Sequence, residues 1–301
     1  MPLHVVPPVR KESLHLPDGR RLAWSEWGPA DGTPVLFCTG AGMSGSLGFG
    51  TADLNRLNVR LLAVDRPGLG ASSAHPGKTL TSWSDDIGEL ISARLLTKPR
   101  VVGFSQGAPF ALALAATKHA TAAALVSGQD DFGHPRTLDQ LHPDVAKMVM
   151  DARTDSAAFE DDIAATASAD WIWRMILSLN ADCDRRIYEE EVFAERYRVC
   201  LKEGFSQGSR GYARDLAITF DEWPFTLARL SVPVDLWYGR RDASPVHSPD
   251  FGETLASRIP GASLTVDERA GGAILWTRAA DILGKLIAPR PVPAKKSRKK
   301  R

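Results

Sequence analysis

The chain alternates short apolar segments with longer segments of helical periodicity. The apolar segments are β-branched or mixed and show no clean alternation of apolar and polar positions; they are PVLFC (34–38), VRLLAVD (59–65), RVVGF (100–104), AAALV (122–126), VPVDLWYG (232–239) and SLTVD (263–267). Such runs are typical of strands that are buried on both faces. Strands that alternate with helices predict an α/β fold, with a mostly parallel central sheet flanked by helices.

Two regions depart from this alternation. The segment RKESLHLPDGRRLAWSEWG (10–28) predicts a hairpin of two strands around the turn PDG. From about Asp131 to Glu222 no strand pattern occurs, and SADWIWRMILSLN and YEEEVFAERYRVCLKE predict amphipathic helices. We therefore predict a core in two parts, 1–130 and 223–287, with a helical cap over 131–222 inserted between two core strands.

Composition limits the class of protein. The chain has 301 residues, of which 44% are hydrophobic, which is enough for a substantial core. The opening MPLHVVPPVRKESLHL lacks the apolar region of a signal peptide, and no run approaches membrane-spanning length. We expect a soluble, cytoplasmic protein whose three cysteines are reduced thiols.

Charge is unevenly distributed along the chain. The last fourteen residues, 288–301, hold seven of the 37 Lys and Arg and no acid, so the rest has 30 basic and 36 acidic residues, a net charge of −6. We predict a disordered basic tail over 288–301. Such a tail could contact nucleic acid or an anionic surface, but composition favours a solubilising extension.

The pentapeptide GFSQG occurs twice, at 103–107 and 204–208, and each copy fits the G-x-S-x-G pattern of a nucleophile elbow. An elbow needs a strand, a sharp turn with small flanking residues and then a helix. The first copy follows RVVGF and precedes APFALALAATKHA, so Ser105 is the candidate nucleophile; the alternative is a tight turn without chemistry. The second copy follows a charged helical run, where Gly204 or Gly208 would end a helix in a left-handed conformation.

With this elbow after the third core strand, the chain resembles the α/β-hydrolase superfamily, in particular its capped esterase and peptidase-like members, over residues from about 10 to 287. The motif DRPGLGAS (65–72) is similar to the family's loop after the strand that precedes the elbow strand. The resemblance implies an oxyanion hole formed by two backbone N–H groups. The donors would be Gln106, which follows the serine, and Ala41, in TGAGMSGSLGFG, where Thr39 and Gly42 replace the family's usual His and Pro.

The resemblance also implies an acid and a histidine. Asp242, after VPVDLWYG, occupies the place of the acid; Asp130 or Asp131 is a second candidate, and a simpler role for Asp242 is capping the next helix. The histidine is expected after SLTVD, but ERAGGAILWTR has Ala273 at that point, and no histidine follows His247. His247 and His134 are candidate replacements, although the simpler interpretation of each is a surface or capping residue.

A serine hydroxyl without an adjacent base is a poor nucleophile, and deleting the histidine of a comparable triad costs on the order of a million-fold in turnover. Four explanations remain open. The chain could be a non-catalytic relative that binds a small molecule; another residue could act as the base; the reaction could need only positioning and an oxyanion hole; or the histidine could have been replaced by engineering.

Two functions follow from these observations. The first is a serine hydrolase acting on an ester, amide or related acyl compound, and the second is a catalytically silent protein that binds a small ligand or a partner. In either case we expect a mostly apolar small molecule, in a cleft lined by some of the large side chains of the cap and the glycine-rich loop: Met148, Met150, Trp171, Trp173, Met175, Met43 and Phe49. No motif indicates a metal, nucleotide or flavin, and none indicates an oligomeric state.

Overall fold

Eight strands form one sheet at the centre of the protein. The structure is a computed structural model and describes residues 4–289, so the tail predicted over 288–301 lies, from Arg290 on, outside the described residues. The strands are β1 Arg10–His15, β2 Arg21–Trp27, β3 Thr33–Cys38, β4 Val59–Val64, β5 Arg100–Phe104, β6 Ala123–Val126, β7 Val234–Gly239 and β8 Ser263–Asp267. Their order across the sheet is β1-β2-β4-β3-β5-β6-β7-β8.

The prediction of a mostly parallel sheet is confirmed. Strands β3 to β8 pair in parallel, whereas β1 and β2 form an antiparallel hairpin that joins the sheet through an antiparallel pair of β2 with β4. The hairpin turns at the predicted PDG, where Gly19 has a φ of 86°. The carboxyl ends of the parallel strands lie at one edge, which is where ligands bind in sheets of this kind.

Both faces of the sheet are covered by helices, which explains why the strands lack a polar alternation. On β3, Val35 and Phe37 belong to one buried apolar cluster, whereas Leu36 and Cys38 belong to the other. Side chains of α1, α2 and α10 pack in the second cluster, and side chains of α11 and α12 pack in the first. These helices are α1 Leu80–Ala93, α2 Gly107–Ala116, α10 Glu253–Arg258, α11 Ile274–Thr277 and α12 Ala279–Ile287.

The chain between β6 and β7 is mostly helical, and its α-helices lie within 131–222, the region for which the sequence predicts a cap. We call its α-helices the helical insertion. They are α3 Pro135–Leu138, α4 Pro143–Thr154, α5 Ser156–Thr166, α6 Ala169–Leu179, α7 Asp182–Tyr188, α8 Glu191–Gly204 and α9 Arg210–Phe220. A short 3₁₀ helix, Leu227–Arg229, then leads to β7.

An aromatic cluster joins the helical insertion to the core. The ring of Trp276 in α11 contacts Tyr188, Phe193 and Tyr197, with ring centroids 5.1–6.3 Å apart. The same indole packs edge-on against Phe104 at the end of β5, at 4.8 Å. Because such pairs add to the stabilisation gained from burial, the insertion is held on the sheet end that carries β5.

The second copy of GFSQG lies at the end of α8, on the surface. Gly204 is the last residue of that helix, and Gly208 has a φ of 89°, so Gly208 adopts the left-handed conformation expected of one of the two glycines. Ser206 is exposed, and its hydroxyl and the Gln207 amide donate hydrogen bonds to the carbonyl oxygen of Gly70. The copy therefore attaches the insertion to the DRPGLG loop.

A search of the described residues for a helix long and apolar enough to cross a membrane finds none.

Gly204 offers a test of this packing. A Cβ at Gly204 would lie 1.9 Å from the carbonyl oxygen of Gly42, whereas a Cβ at Gly284 in α12 would meet nothing within 4 Å. We expect Gly204→Ala to lower the free energy of unfolding by about 1–3 kcal/mol, as overpacking does. The matched control Gly284→Ala should be neutral or raise it by up to about 1 kcal/mol, because alanine favours a helix. Urea denaturation measures both, and equal stability of the two variants would contradict the close contact at Gly204.

Candidate functional site

Ser105 lies at the predicted elbow between β5 and α2. Its φ of 51° is in the left-handed region, which costs a residue with a side chain of the order of 1 kcal/mol or more. The turn is fixed by hydrogen bonds, from the Ser105 N–H to the Val126 carbonyl and from the Ala108 N–H to the Ser105 carbonyl. A Cβ at Gly107 would lie 2.0 Å from the Cys38 carbonyl oxygen, so only glycine fits beside the serine.

Two hydrogen bonds connect the Ser105 hydroxyl to a histidine and, through it, to a carboxylate. The Nε2 of His247 lies 2.9 Å from Ser105 Oγ, and its Nδ1 lies 2.7 Å from Asp242 Oδ2. An ionised carboxylate only accepts hydrogen bonds, so Nδ1 donates to Asp242 and Nε2 is left to accept from the Ser105 hydroxyl. Ser105 and His247 are 8% and 6% exposed, which keeps the chain of hydrogen bonds largely out of water.

One loop carries both His247 and Asp242. It follows β7 and turns back on itself, with the Ser244 N–H donating to Asp242 Oδ1 at 3.0 Å and the His247 N–H donating to the Ser244 carbonyl. Ser248 attaches the far end of the loop, since its N–H donates to the Gly128 carbonyl and its hydroxyl to Asp130 Oδ2. The carboxylate and the imidazole are therefore set by the same turn.

The structure distinguishes the residues that the sequence left open. The interpretation of His247 as a surface residue is wrong, because the side chain is buried against Phe104 and bonded to Ser105. His134 occupies the N-cap position of α3, but its side chain makes no capping hydrogen bond and does not contact Ser105 among the described residues. Of the other candidate acids, Asp130 bonds to Ser248 and Asp131 pairs with Arg258, so neither contacts the imidazole of His247.

The loop with Ala273, where relatives are expected to carry the histidine, has a different partner. Gly272 and Ala273 donate their N–H groups to the carboxylate of Asp184 in α7, at 2.8 and 3.0 Å. Burial raises the pKa of Asp184, an effect that the two hydrogen bonds and His247 oppose. A Cβ at Gly272 would lie 2.9 Å from Asp242 Oδ1, so this loop also packs directly on the Asp242 carboxylate.

The two predicted oxyanion donors line the same cavity as Ser105. Ala41 and Gln106 both contribute to its wall, and neither of their backbone N–H groups donates a hydrogen bond to another described residue. The Gln106 Nε2 is also buried without a partner among the described residues. Unpaired buried donors are costly unless they meet an acceptor, so this wall is suited to an oxygen-bearing ligand.

The cavity above Ser105 is small, about 100 Å³, and mostly apolar. No Asp, Glu, Lys or Arg is among its lining residues in the part of the chain that the structure describes. The helical insertion supplies most of the wall, with Ile172, Met175, Ile176, Leu179, Asn180, Tyr188, Tyr197, Tyr212, Leu216 and Phe220. Burial raises the pKa of the three tyrosines, so their hydroxyls stay protonated and can donate hydrogen bonds at neutral pH.

Of the large side chains proposed to line the cleft, only Met175 does so. Met43 and Phe49 of the glycine-rich loop belong to the buried core instead. Trp173 packs against the ring of Tyr197, with centroids 5.8 Å apart, and so supports a wall residue from behind. The sequence pattern could not separate apolar residues that line a cavity from those that pack under its wall.

The sequence matches a known protein family over most of its length. A sequence model described as the alpha/beta hydrolase family matches residues 35–282. No curated protein matches the sequence at a significant level.

Solved structures of similar fold include a hydrolase from Pseudomonas aeruginosa (21% identity, TM-score 0.67, covering 93% of this chain and 99% of that one). An enol-lactonase from Burkholderia xenovorans is 18% identical, with a TM-score of 0.66 over 92% of this chain and 98% of that one. An esterase from Exiguobacterium antarcticum is 20% identical, with a TM-score of 0.61 over 91% and 97%. At these identities the likeness shows the fold alone.

Asp130, which anchors the loop of His247, predicts a pH dependence of stability. Burial raises its pKa to about 6, from an ordinary value near 4. The folded protein therefore binds a proton that the unfolded chain has already lost between about pH 4 and 6, so this group's contribution to stability falls as the pH rises through that window.

Asp130→Asn has no such titration, so the stability of this variant relative to wild type should rise between about pH 4 and 6, by up to about 3 kcal/mol. Urea denaturation of both proteins at a series of pH values measures the difference, in which other titrating groups cancel. A difference that stays constant over the window would show that Asp130 titrates as it does in the unfolded chain.

Proposed function

We propose that this chain, which belongs to the alpha/beta hydrolase family, is a serine hydrolase that cleaves an ester, amide or related acyl bond in a small, mostly apolar molecule. The observation that carries the proposal is the continuous hydrogen-bond chain from the Ser105 hydroxyl through His247 to Asp242. In this arrangement His247 is the base. The sequence alone had left the base unassigned, because Ala273 stands where the family carries its histidine.

In the acylation step, Ser105 Oγ attacks the carbonyl carbon of the substrate while His247 Nε2 accepts the hydroxyl proton. Asp242 accepts the Nδ1 hydrogen bond and stabilises the imidazolium that forms. The tetrahedral intermediate then collapses as the bond to the leaving alkoxide or amine breaks, and the imidazolium returns its proton to that leaving group. The product is an acyl ester of Ser105.

Deacylation reverses these roles with water as the nucleophile. His247 Nε2 takes a proton from the water, whose oxygen attacks the acyl carbon, and then returns the proton to Ser105 Oγ as the acid departs. In both steps the negative oxygen is stabilised by the N–H groups of Ala41 and Gln106, which are free of partners among the described residues. One such donor is worth on the order of 10²- to 10³-fold in turnover.

The cavity supports the choice of substrate class. Its lining lacks charged Asp, Glu, Lys and Arg side chains in the described chain, so a charged substrate would enter without a counter-ion. Its volume of about 100 Å³ suits a short acyl group better than a long chain. The helical insertion serves as the cap that excludes bulk water, and the esterase and enol-lactonase of similar fold act on bonds of the proposed kind.

A fluorophosphonate probe tests the nucleophile. We expect the wild type to be labelled within minutes and Ser105→Ala to lose all labelling, because the probe reacts only with an activated serine hydroxyl. The control is Ser206→Ala, in the exposed second copy of the same pentapeptide, which should be labelled like wild type. Mass spectrometry identifies the modified peptide. A wild type that stays unlabelled at high probe concentration would favour the silent ligand-binding protein.

Hydrolysis of 4-nitrophenyl acetate tests the base and the acid. His247→Ala should lower kcat/KM on the order of 10⁵- to 10⁶-fold, and Asp242→Asn about 10⁴-fold, because each removes part of the same proton-transfer unit. His134→Ala is the control, since this residue lies at the start of α3, and it should retain wild-type turnover. If His247→Ala turned over the ester at a tenth of the wild-type rate or faster, another group would be the base.

A further inference from the structure

Three charged side chains that the proposed chemistry does not use meet in the interior below the glycine-rich loop. Arg66, from the DRPGLG loop, donates from Nε to Asp215 Oδ2 at 2.7 Å, and the ammonium of Lys78 lies 2.5 Å from Asp215 Oδ1. All three side chains are at most 1% exposed. Two basic side chains share one carboxylate here, and burial lowers the pKa of Lys78, an effect that Asp215 opposes.

The remaining donors of Arg66 form hydrogen bonds with the glycine-rich loop, whereas Lys78 donates to the Pro67 carbonyl at 2.7 Å. Its Nη1 donates to the Thr39 carbonyl at 2.5 Å, and its Nη2 donates to the Gly40 carbonyl at 2.9 Å. Both carbonyls precede Ala41 in the glycine-rich loop. The guanidinium stacks on the Phe110 ring of α2 at 4.7 Å, which fixes the plane from which these hydrogen bonds are made.

The contact with Gly40 has a geometric consequence. In a planar trans peptide the C=O and the following N–H point in opposite directions. The carbonyl of Gly40 is drawn towards Arg66, in the interior, so the N–H of Ala41 in the same peptide is directed away from Arg66. Ala41 lines the cavity of Ser105, and its N–H has no partner among the described residues.

The orientation of the Gly40–Ala41 peptide needs to be fixed, because glycine occupies positions 40 and 42. Gly42 has a φ of 64°, a conformation that costs glycine little. The Gly40 carbonyl also accepts a hydrogen bond from the Met43 N–H at 3.4 Å, which is longer than the one from Arg66 at 2.9 Å. A rotation of the Gly40–Ala41 peptide would turn the carbonyl oxygen towards the developing oxyanion. Such a rotation would also leave a buried N–H of Arg66 without its acceptor, which is unfavourable.

We propose that Arg66 is a positioning residue that holds the Gly40–Ala41 peptide with its N–H facing the Ser105 cavity, and so preorganises one donor of the oxyanion hole. The inference rests on the proposed function. Asp215 orients the guanidinium from α9, the helix whose Tyr212, Leu216 and Phe220 line the same cavity.

Two substitutions distinguish a positioning role of Arg66 from a general contribution to stability. Arg66→Met removes the hydrogen bonds to the loop and leaves a neutral Lys78–Asp215 pair in the interior. The matched control Lys78→Met leaves a neutral Arg66–Asp215 pair. It removes the hydrogen bond from Lys78 to the Pro67 carbonyl but no group that contacts Thr39 or Gly40. Each variant therefore loses one buried cation from the same carboxylate.

The measurements are kcat and KM for 4-nitrophenyl acetate and the inhibition constant of an aryl trifluoromethyl ketone, which forms a tetrahedral adduct with an active serine. In Arg66→Met we expect kcat to fall about 10- to 10³-fold and the affinity for the ketone to fall by a similar factor, with KM changed less than about threefold. In Lys78→Met, kcat and ketone affinity should stay within about threefold of wild type.

Equal losses in the two variants, or an Arg66→Met variant that keeps its kcat and ketone affinity, would overturn the inference while leaving the proposed function intact. A wild type that neither hydrolyses the ester nor reacts with the fluorophosphonate would overturn the proposed function, and the inference with it. Should Arg66→Met fail to fold, Arg66→Lys keeps the charge but cannot span Asp215 and both carbonyls, and the same losses are expected.

Discussion

The left-handed turn at Ser105 is the constraint on which the rest of the site depends. A strand buried on both faces ends at Phe104, and the helix α2 begins three residues later at Gly107, so Ser105 lies in the sharp turn between them. The turn is possible because residue 107 is glycine: a Cβ at this position would lie only 2.0 Å from the Cys38 carbonyl oxygen. The hydrogen bond from the Ser105 N–H to the carbonyl of Val126, a core residue, offsets part of the cost of the strained conformation.

The proposed proton relay depends on one loop rather than two. Asp242 and His247 are five residues apart after β7, so a single turn sets their separation, and its far end is tied to the core by Ser248. The loop after β8, which contains Ala273, does not contribute the histidine. It donates two N–H groups to Asp184 of α7 instead, and in this way the position that would carry the histidine becomes an attachment point for the helical insertion.

The fold and the turn at Ser105 could be predicted from the sequence because both depend on local patterns, whereas Asp242, Ala41 and Gln106 were implied by the family resemblance. The strands followed from apolar runs, and Ser105 from a strand, a small-residue turn and a helix in succession. His247 could not be assigned, because a histidine's partner depends on how a loop folds back, and its neighbours SPVHSPD resemble an ordinary surface loop. The signal that was available is the spacing: an acid and a histidine five residues apart, after the strand where the acid was expected.

Buried polar contacts attach two helices of the helical insertion to the core. Asp184 attaches α7 to the loop of Ala273, and Asp215 attaches α9 to Arg66 and Lys78, so displacing either helix would separate buried polar groups from their partners. No buried ion pair among the described residues involves α6, which packs on α8 and contributes apolar side chains to the cavity. Apolar contacts are non-directional and separate without stranding a charge. The contribution of α6 to the cavity next to Ser105 is therefore apolar, whereas α7 and α9 are attached to the loops of Ala273 and Arg66 by polar contacts.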